Sequence, residues 1–281
     1  MCPLDPSLFY WYNNDKLQGI ICVYVDDFLW MGTQVFRERV IDILRGEFSI
    51  GSTASSTFKY IGLKVDSTDR GITVSQHGYA GLLAPLRLGC GRSAAKSSEL
   101  SENEKREFRA LIGQLSWIAT QTRPDIAFDV CELSGHCKNA TIADVVRLNK
   151  IISRVIGDQF CLLFEKLSAV EDCVIECFSD ASFGNLSDGG SQGGFVIFLK
   201  DKNKRRCPIF WQSRKLRRVV KSTLSAETLA LVECAEAASY LGRIIMDIVK
   251  CHPSTVHCFV DNKSLVEALN SSQCGGSLSS Y

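Results

Sequence analysis

The chain has 281 residues, 46% hydrophobic and 22% charged, with a net charge of +1. That length leaves room for two domains with a core each, and the composition excludes disordered and fibrous classes. No apolar run is long enough to span a bilayer, and residues 1–15 lack the basic-then-apolar layout of a signal peptide. Neither a membrane nor a secreted protein is expected, and the cytoplasm or nucleus is. The thirteen cysteines follow no framework and read as reduced thiols. "CHPSTVHC", with Cys251, His252, His257 and Cys258, invites a zinc reading, but its spacing matches no usual ligand pattern, and zinc is not expected there or at Cys173 and Cys177.

From the amino terminus, "IICVYVDDFLW" (residues 20–30) is apolar and aromatic except for Asp26 and Asp27. The pattern predicts a β-hairpin with Asp-Asp at its turn. Two adjacent carboxylates in an apolar stretch are costly to desolvate, so either they face water as turn residues or a divalent metal neutralises them. Val35, Phe36, Val40, Ile41, Leu44 and Phe48 then recur at helical spacing, predicting a helix from about Thr33 to Phe48. "FKYIGLKVDSTDRGITVSQ" alternates on both sides of Asp69-Arg70-Gly71 and predicts a second hairpin. A short helix is expected from Tyr79 to near Gly89. A Ser101/Glu104 capping box opens a longer one, Pro124 starts another, and a fourth runs from Thr141 to Ile156.

A composition change near Gly157 marks a boundary between two units, 1–156 and 157–281. Strands are predicted at Cys173–Ser179, Gly194–Leu199 and Ile209–Trp211, followed by a long Ala-rich helix, about Ser222–Val249, and a strand, Val256–Val260. The fold class is α+β in the first unit and α/β in the second. Asp180 just past one strand, Glu227 in the first turns of the helix and Asp261 at the end of another strand can converge into a metal site. Taken singly each has a plain alternative: a turn residue, a solvated helix acid, or, at Asp261-Asn262, a cap for the helix through Leu269.

Between Lys200 and Lys221 stand ten basic residues and one acid, so the segment carries +9 and the rest of the chain −8. Such a run is either a solvated loop or a phosphate-binding surface. Lys204, Arg205, Arg206, Arg214, Lys215, Arg217 and Arg218, interleaved with Trp211, are the nucleic-acid candidates.

"YVDD" at Tyr24–Asp27, "FKYIGLKV", "LIGQLSWIATQTRPDIAF", "FSDASFGN", "ETLA" and "VDNKS" occur in the order and spacing of one family. From about Asp5 to Asn270 the chain resembles the polyprotein of Copia-type long-terminal-repeat retrotransposons, from the end of the reverse transcriptase into ribonuclease H. The resemblance implies a partial polymerase palm with thumb or connection helices, then a ribonuclease H-like mixed sheet with helices. It implies that Asp26 and Asp27, and separately Asp180, Glu227 and Asp261, bind Mg²⁺ or Mn²⁺ for two-metal phosphoryl transfer. Tyr24 and Val25 would lie beneath the primer terminus, and "FKYIGL" would grip the primer. The implied partners are RNA, DNA, RNA–DNA hybrid and other segments of the polyprotein.

The departures matter too. The family's polymerase uses a further aspartate and a fingers region that would precede Met1, and its ribonuclease H continues with another strand, a helix and a fourth acid. "SSQCGGSLSSY" reads as an unrelated or frame-shifted tail, while Leu216 and Thr228 replace the usual Gln and Tyr. A polymerase-incompetent chain with a C-terminally truncated ribonuclease H is therefore expected. A non-enzymatic remnant that at most binds nucleic acid is the alternative.

Overall fold

The computed structural model describes residues 1–89, 91–186, 188–251, 255–271 and 278–280. Alternating apolar residues near the amino terminus form a three-stranded antiparallel meander: β1 (Leu8–Asn13), β2 (Lys16–Tyr24) and β3 (Asp27–Gly32). Tyr24 pairs with Asp27, so the two-residue turn is Val25-Asp26 rather than Asp26-Asp27. Val25 has φ 53°, a left-handed conformation that a β-branched residue adopts only at a cost. Thr33 caps the following helical segment, accepting a hydrogen bond from Phe36 N–H. That segment comprises α1 (Gln34–Phe36), a π-turn (Arg37–Ile41) and α2 (Asp42–Glu47). Phe36 lies against Gly19 and Gly32, where a Cβ would come within 2.3 and 2.5 Å of its ring; only glycine admits the helix this close to the sheet.

The predicted second hairpin gains a strand. β4 (Thr57–Tyr60), β5 (Leu63–Thr68) and β6 (Gly71–Ser75) are antiparallel. The extra turn is Ile61-Gly62, both at positive φ, a backbone that matches the strand twist and reads weakly in the sequence because Ile rarely adopts it. The helix expected from Tyr79 to Gly89 shrinks to α3 (His77–Ala80). Leu83 and Leu86 are buried without being helical, so their spacing reported burial and not conformation.

Capping boxes open α4 (Glu102–Gln121) at Ser101/Glu104 and α6 (Ile142–Gly157) at Thr141/Asp144. Between them Pro124 starts a 3₁₀ turn leading into α5 (Ala127–Gly135). These helices bury Phe108, Leu115, Ile126, Leu133, Leu148 and Ile152 in one core. Arg123 ties its rim together, donating to Asp125 at 2.8 Å and Asp158 at 3.2 Å with Phe160 beneath the guanidinium. β7 (Leu162–Glu165), beyond residue 157, pairs with β6.

The remaining chain builds a five-stranded mixed sheet. β8 (Cys173–Ser182), β9 (Gln192–Asp201) and β10 (Arg206–Lys215) form an antiparallel meander, each longer than predicted. α7 (Thr223–Val249) crosses the sheet, β11 (Val256–Val260) returns parallel to β8, and α8 (Lys263–Ser271) follows. The order is β10-β9-β8-β11-β12, the last strand being β12 (Leu278–Ser280), parallel to β11. Residues 278–280, within the segment read as a tail, pair with β11 through the backbone. α7 lies close on the sheet because Ala226, Ala230, Cys234 and Ala238, four residues apart, bury one face; Cys234 takes the place expected of Ala235.

The two parts touch through specific bonds. Trp211 Nε1 donates to the Ala119 carbonyl at 2.8 Å, and the hydroxyls of Tyr10 and Tyr12 bond the Asp247 carboxylate and the Ile248 carbonyl at the end of α7. No helix among the described residues is long and apolar enough to cross a membrane.

Candidate metal centre and nucleic-acid surface

Register brings two acids level. Phe178 on β8 pairs with Phe259 on β11 and the strands run in the same direction, so Asp180 and Asp261, each two residues further on, leave the same sheet edge side by side. Glu227 reaches them from the first turns of α7, which Ala226 and Ala230 hold against Ala181. Ligand oxygens of Asp180, Glu227 and Asp261 lie within 4.8 Å of one another, the only such group of three among the described residues. Asn262 Oδ1 accepts the Leu265 N–H at 3.0 Å and so caps α8, leaving Asp261 to the cluster.

The electrostatics of the group are those of a site built for positive charge. Glu227 is 4% exposed, and its Oε2 is buried without a hydrogen-bond partner. Burial, then the charges of Asp180 and Asp261, push its carboxyl up to about 7. Three hard oxygen donors around an unanswered buried carboxylate oxygen fit a Mg²⁺- or Mn²⁺-type ion.

Asp26 and Asp27 are placed differently. Both are exposed, as is Tyr24, so the desolvation cost read from the sequence does not arise, because the turn carries the pair out of the apolar run. They belong to no group of three acids among the described residues. Tyr60, at the tip of the β4–β5 hairpin, lies next to them: burial first, then Cys22, Asp27 and Tyr24, push its hydroxyl up to about 12. The "FKYIGL" hairpin and the "YVDD" turn are thus neighbours.

Much of the basic segment is answered within the fold. Lys200 and Arg206 both bond Glu176, Lys202 bonds Asp172, Arg205 bonds buried Asp201, Arg214 bonds Glu233, and Lys215 bonds Asp188. Asp201 accepts from Ser168 and from the Asn203 and Arg205 backbone as well, which holds its carboxyl far below the usual range despite its burial. Trp211 commits its indole N–H to Ala119. Lys204 at the β9–β10 turn, and Arg217, Arg218 and Lys221 in the loop before α7, are exposed with no ion pair among the described residues. Leu216 packs under that loop with Ala181, Ala226 and Ala230, a hydrophobic role that suits its departure from Gln.

Of the zinc alternative, His252 lies outside the described residues, and the other three form no ligand group with described neighbours. Gln192 went unnoticed in the sequence: it is a buried amide beside the Asp180 strand, and "GGSQGG" gives no cue to burial.

No family model matches the chain. It is 24% identical over 269 residues to the retrovirus-related Pol polyprotein from transposon RE2 of Arabidopsis thaliana, covering 90% of this chain and 18% of that protein. It is 22% identical to the Pol polyprotein from transposon TNT 1-94 of Nicotiana tabacum, covering 94% of this chain and 21% of that one. The chain therefore spans about a fifth of the length of these relatives. Among solved structures it is similar to a foamy viral protease-reverse transcriptase in complex with RNA/DNA hybrid, at 13% identity and a TM-score of 0.47, covering 93% of this chain and 35% of that one. Over nine-tenths of its length the chain is homologous to the Pol polyproteins of Copia-type retrotransposons.

Proposed function

We propose that residues 157–281 cleave the RNA strand of an RNA–DNA hybrid, and that residues 1–156 are the C-terminal part of a reverse transcriptase palm with its thumb or connection helices. The observation that carries this is the convergence of Asp180, Glu227 and Asp261 within 4.8 Å around a buried, unpartnered carboxylate oxygen. Divalent ions held by these three residues would polarise the scissile phosphate and make water a nucleophile at neutral pH. Asp180 and Asp261, exposed at the sheet edge, face the substrate side, while buried Glu227 anchors the site from behind. Lys204, Arg217, Arg218 and Lys221 are the cations free to neutralise backbone phosphate. The other basic residues of the segment hold the sheet together first, which fits recognition of a hybrid by shape rather than by base sequence.

The test is hydrolysis of a labelled RNA–DNA hybrid with Mg²⁺ or Mn²⁺. Cleavage is expected, and Asp180→Asn is expected to remove it; salt-sensitive binding without cleavage would instead leave a nucleic-acid-binding remnant. Replacing both Arg217 and Arg218 by alanine should lower the slope of log affinity against log salt by roughly one for each phosphate no longer neutralised, while Arg206→Ala should act on stability instead.

Asp26 and Asp27 are proposed as palm metal ligands that have only two carboxylates here, since no third acid joins them among the described residues. The 281-residue chain is accordingly expected to give no templated extension of a primed RNA template with Mg²⁺. Extension would refute the assignment of a missing ligand.

A further inference from the structure

The surface around the metal centre is apolar as well as charged. Leu216 is buried in one cluster with Ala181, Ala226 and Ala230, and Val220 packs against the same cluster. Leu216 N–H also donates to the Ser191 carbonyl at 2.8 Å, and Ser222 caps α7 by accepting the Ser225 N–H at 3.2 Å. Residues 217–219 therefore form a short arch between fixed ends. Arg217, Arg218 and Val219 are all exposed, and Val219, at 95%, is the most exposed large hydrophobic residue among those described.

Val219 has apolar company. Phe183 is 45% exposed and Leu224 41%. Each of the three stands within two residues of a member of that one cluster: Phe183 after Ala181, Val219 beside Val220 and Leu224 before Ala226. The same stretches carry two of the acids, since Asp180 adjoins Ala181 and Glu227 adjoins Ala226. The turn at Phe183 is tied to the start of β9, because Gly184 N–H donates to Ser191 Oγ at 2.9 Å and Asn185 Oδ1 accepts the Gln192 N–H at 3.2 Å. One exposed apolar side chain is ordinary, but three around an anchored cluster, interleaved with cations, make a patch.

Its chemistry selects the occupant. Arg217, Arg218 and Lys221 have no ion pair among the described residues, so the patch suits an anion. Asp180 and Asp261 are exposed beside it, and a sheet of anionic lipid headgroups would press negative charge onto them as well as onto the cations. A nucleic-acid groove avoids that conflict, because its phosphates run along two rims and its sugars present apolar surface between them. In an A-form-like duplex only the wide, shallow minor groove admits side chains, and apolar side chains set among cations are suited to it. We propose that Phe183, Val219 and Leu224 pack against sugars in the minor groove of the hybrid, and that this contact fixes which phosphate reaches the three acids. The inference rests on the function proposed above and adds a register to it. Cations neutralise phosphate at any position along the strand, whereas an apolar arch seated between sugars admits one position at a time.

The test uses the full chain, with Asp180→Asn as the background for binding and the wild type for cleavage. Replacing Phe183 and Val219 together by serine should weaken hybrid binding at least about tenfold and leave the slope of log affinity against log salt unchanged, since no phosphate contact is lost. Arg217→Ala should instead lower that slope by about one. Affinity for single-stranded RNA, which has no groove, should not respond to the serine pair. On an end-labelled hybrid the wild type should cut at a narrow set of positions, and the serine pair should spread the cuts over neighbouring phosphates. Phe183→Tyr with Val219→Ile, which keeps the apolar surface, should behave as wild type. Should the serine pair lower the urea midpoint, Leu224→Ser carries the same expectations. Unchanged hybrid affinity, a lowered salt slope or an equal loss on single-stranded RNA overturns the proposal, as does binding to phosphatidylserine vesicles that the serine pair abolishes while hybrid binding survives. If the serine pair cuts where the wild type does, the patch falls and the proposed function stands. If the wild type binds hybrid with these dependences and cleaves none, the proposed function falls and the patch stands.

Discussion

Replacing Glu227 by glutamine is expected to make the metal-free protein more stable at pH 8 while removing hybrid cleavage. The carboxyl is raised from 4.5 to about 7 on folding, so the folded state holds its proton more tightly than the unfolded state. The stability this confers is fully present below pH 4.5 and is lost as the pH rises through about 7. At about 1.4 kcal/mol per pH unit, the wild type should lose on the order of 3 kcal/mol relative to the glutamine variant between pH 4 and pH 8, the other titrating groups being common to both. Urea denaturation at the two pH values measures this. Divalent metal should reverse the sign at pH 8: at a hundredfold excess over its dissociation constant it stabilises the wild type by about 2.7 kcal/mol, and the variant by far less. Cleavage should fall by more than about a hundredfold, beyond what removing a residue that only orients a metal ligand typically costs. A variant that is less stable than wild type at pH 8 without metal would show that the three carboxylates are not in conflict.

Phe108→Ala is expected to cost about 3–5 kcal/mol, the largest effect of any single truncation in the helical core. The ring is fully buried in the core that α4, α5 and α6 share. That loss is a large fraction of the stability of an ordinary domain. Val219→Ala is the control: at 95% exposure it should change the urea midpoint negligibly, within about 0.5 kcal/mol. Because Trp211 bonds the Ala119 carbonyl on α4, loosening this core should also broaden the transition of the mixed sheet. Two separate transitions with the second unmoved would mean that the contact transmits little.

What the sequence determined was local. The Ser101/Glu104 box, the helix start at Thr141, Pro124, the α7 limits and the strand at Val256–Val260 were legible because capping and side-chain periodicity act over a few residues. The acids Asp180, Glu227 and Asp261 could be named because ligand chemistry needs particular residue types at element ends. Their convergence was an expectation from element ends alone; what brings it about is the parallel register of β8 and β11, set by pairing across eighty residues of intervening chain. The same holds where expectation and structure part. Asp26 and Asp27 left two readings open, water-facing turn residues or metal ligands, and the turn at Val25-Asp26 places both exposed. The basic segment looked like a free positive surface, yet Glu176, Asp172, Asp188 and Glu233 arrive from other elements to neutralise much of it. Charge and burial belong to the folded neighbourhood, and only the tertiary structure decides which carboxylates answer one another's cations and which, as at Glu227, are left for an ion.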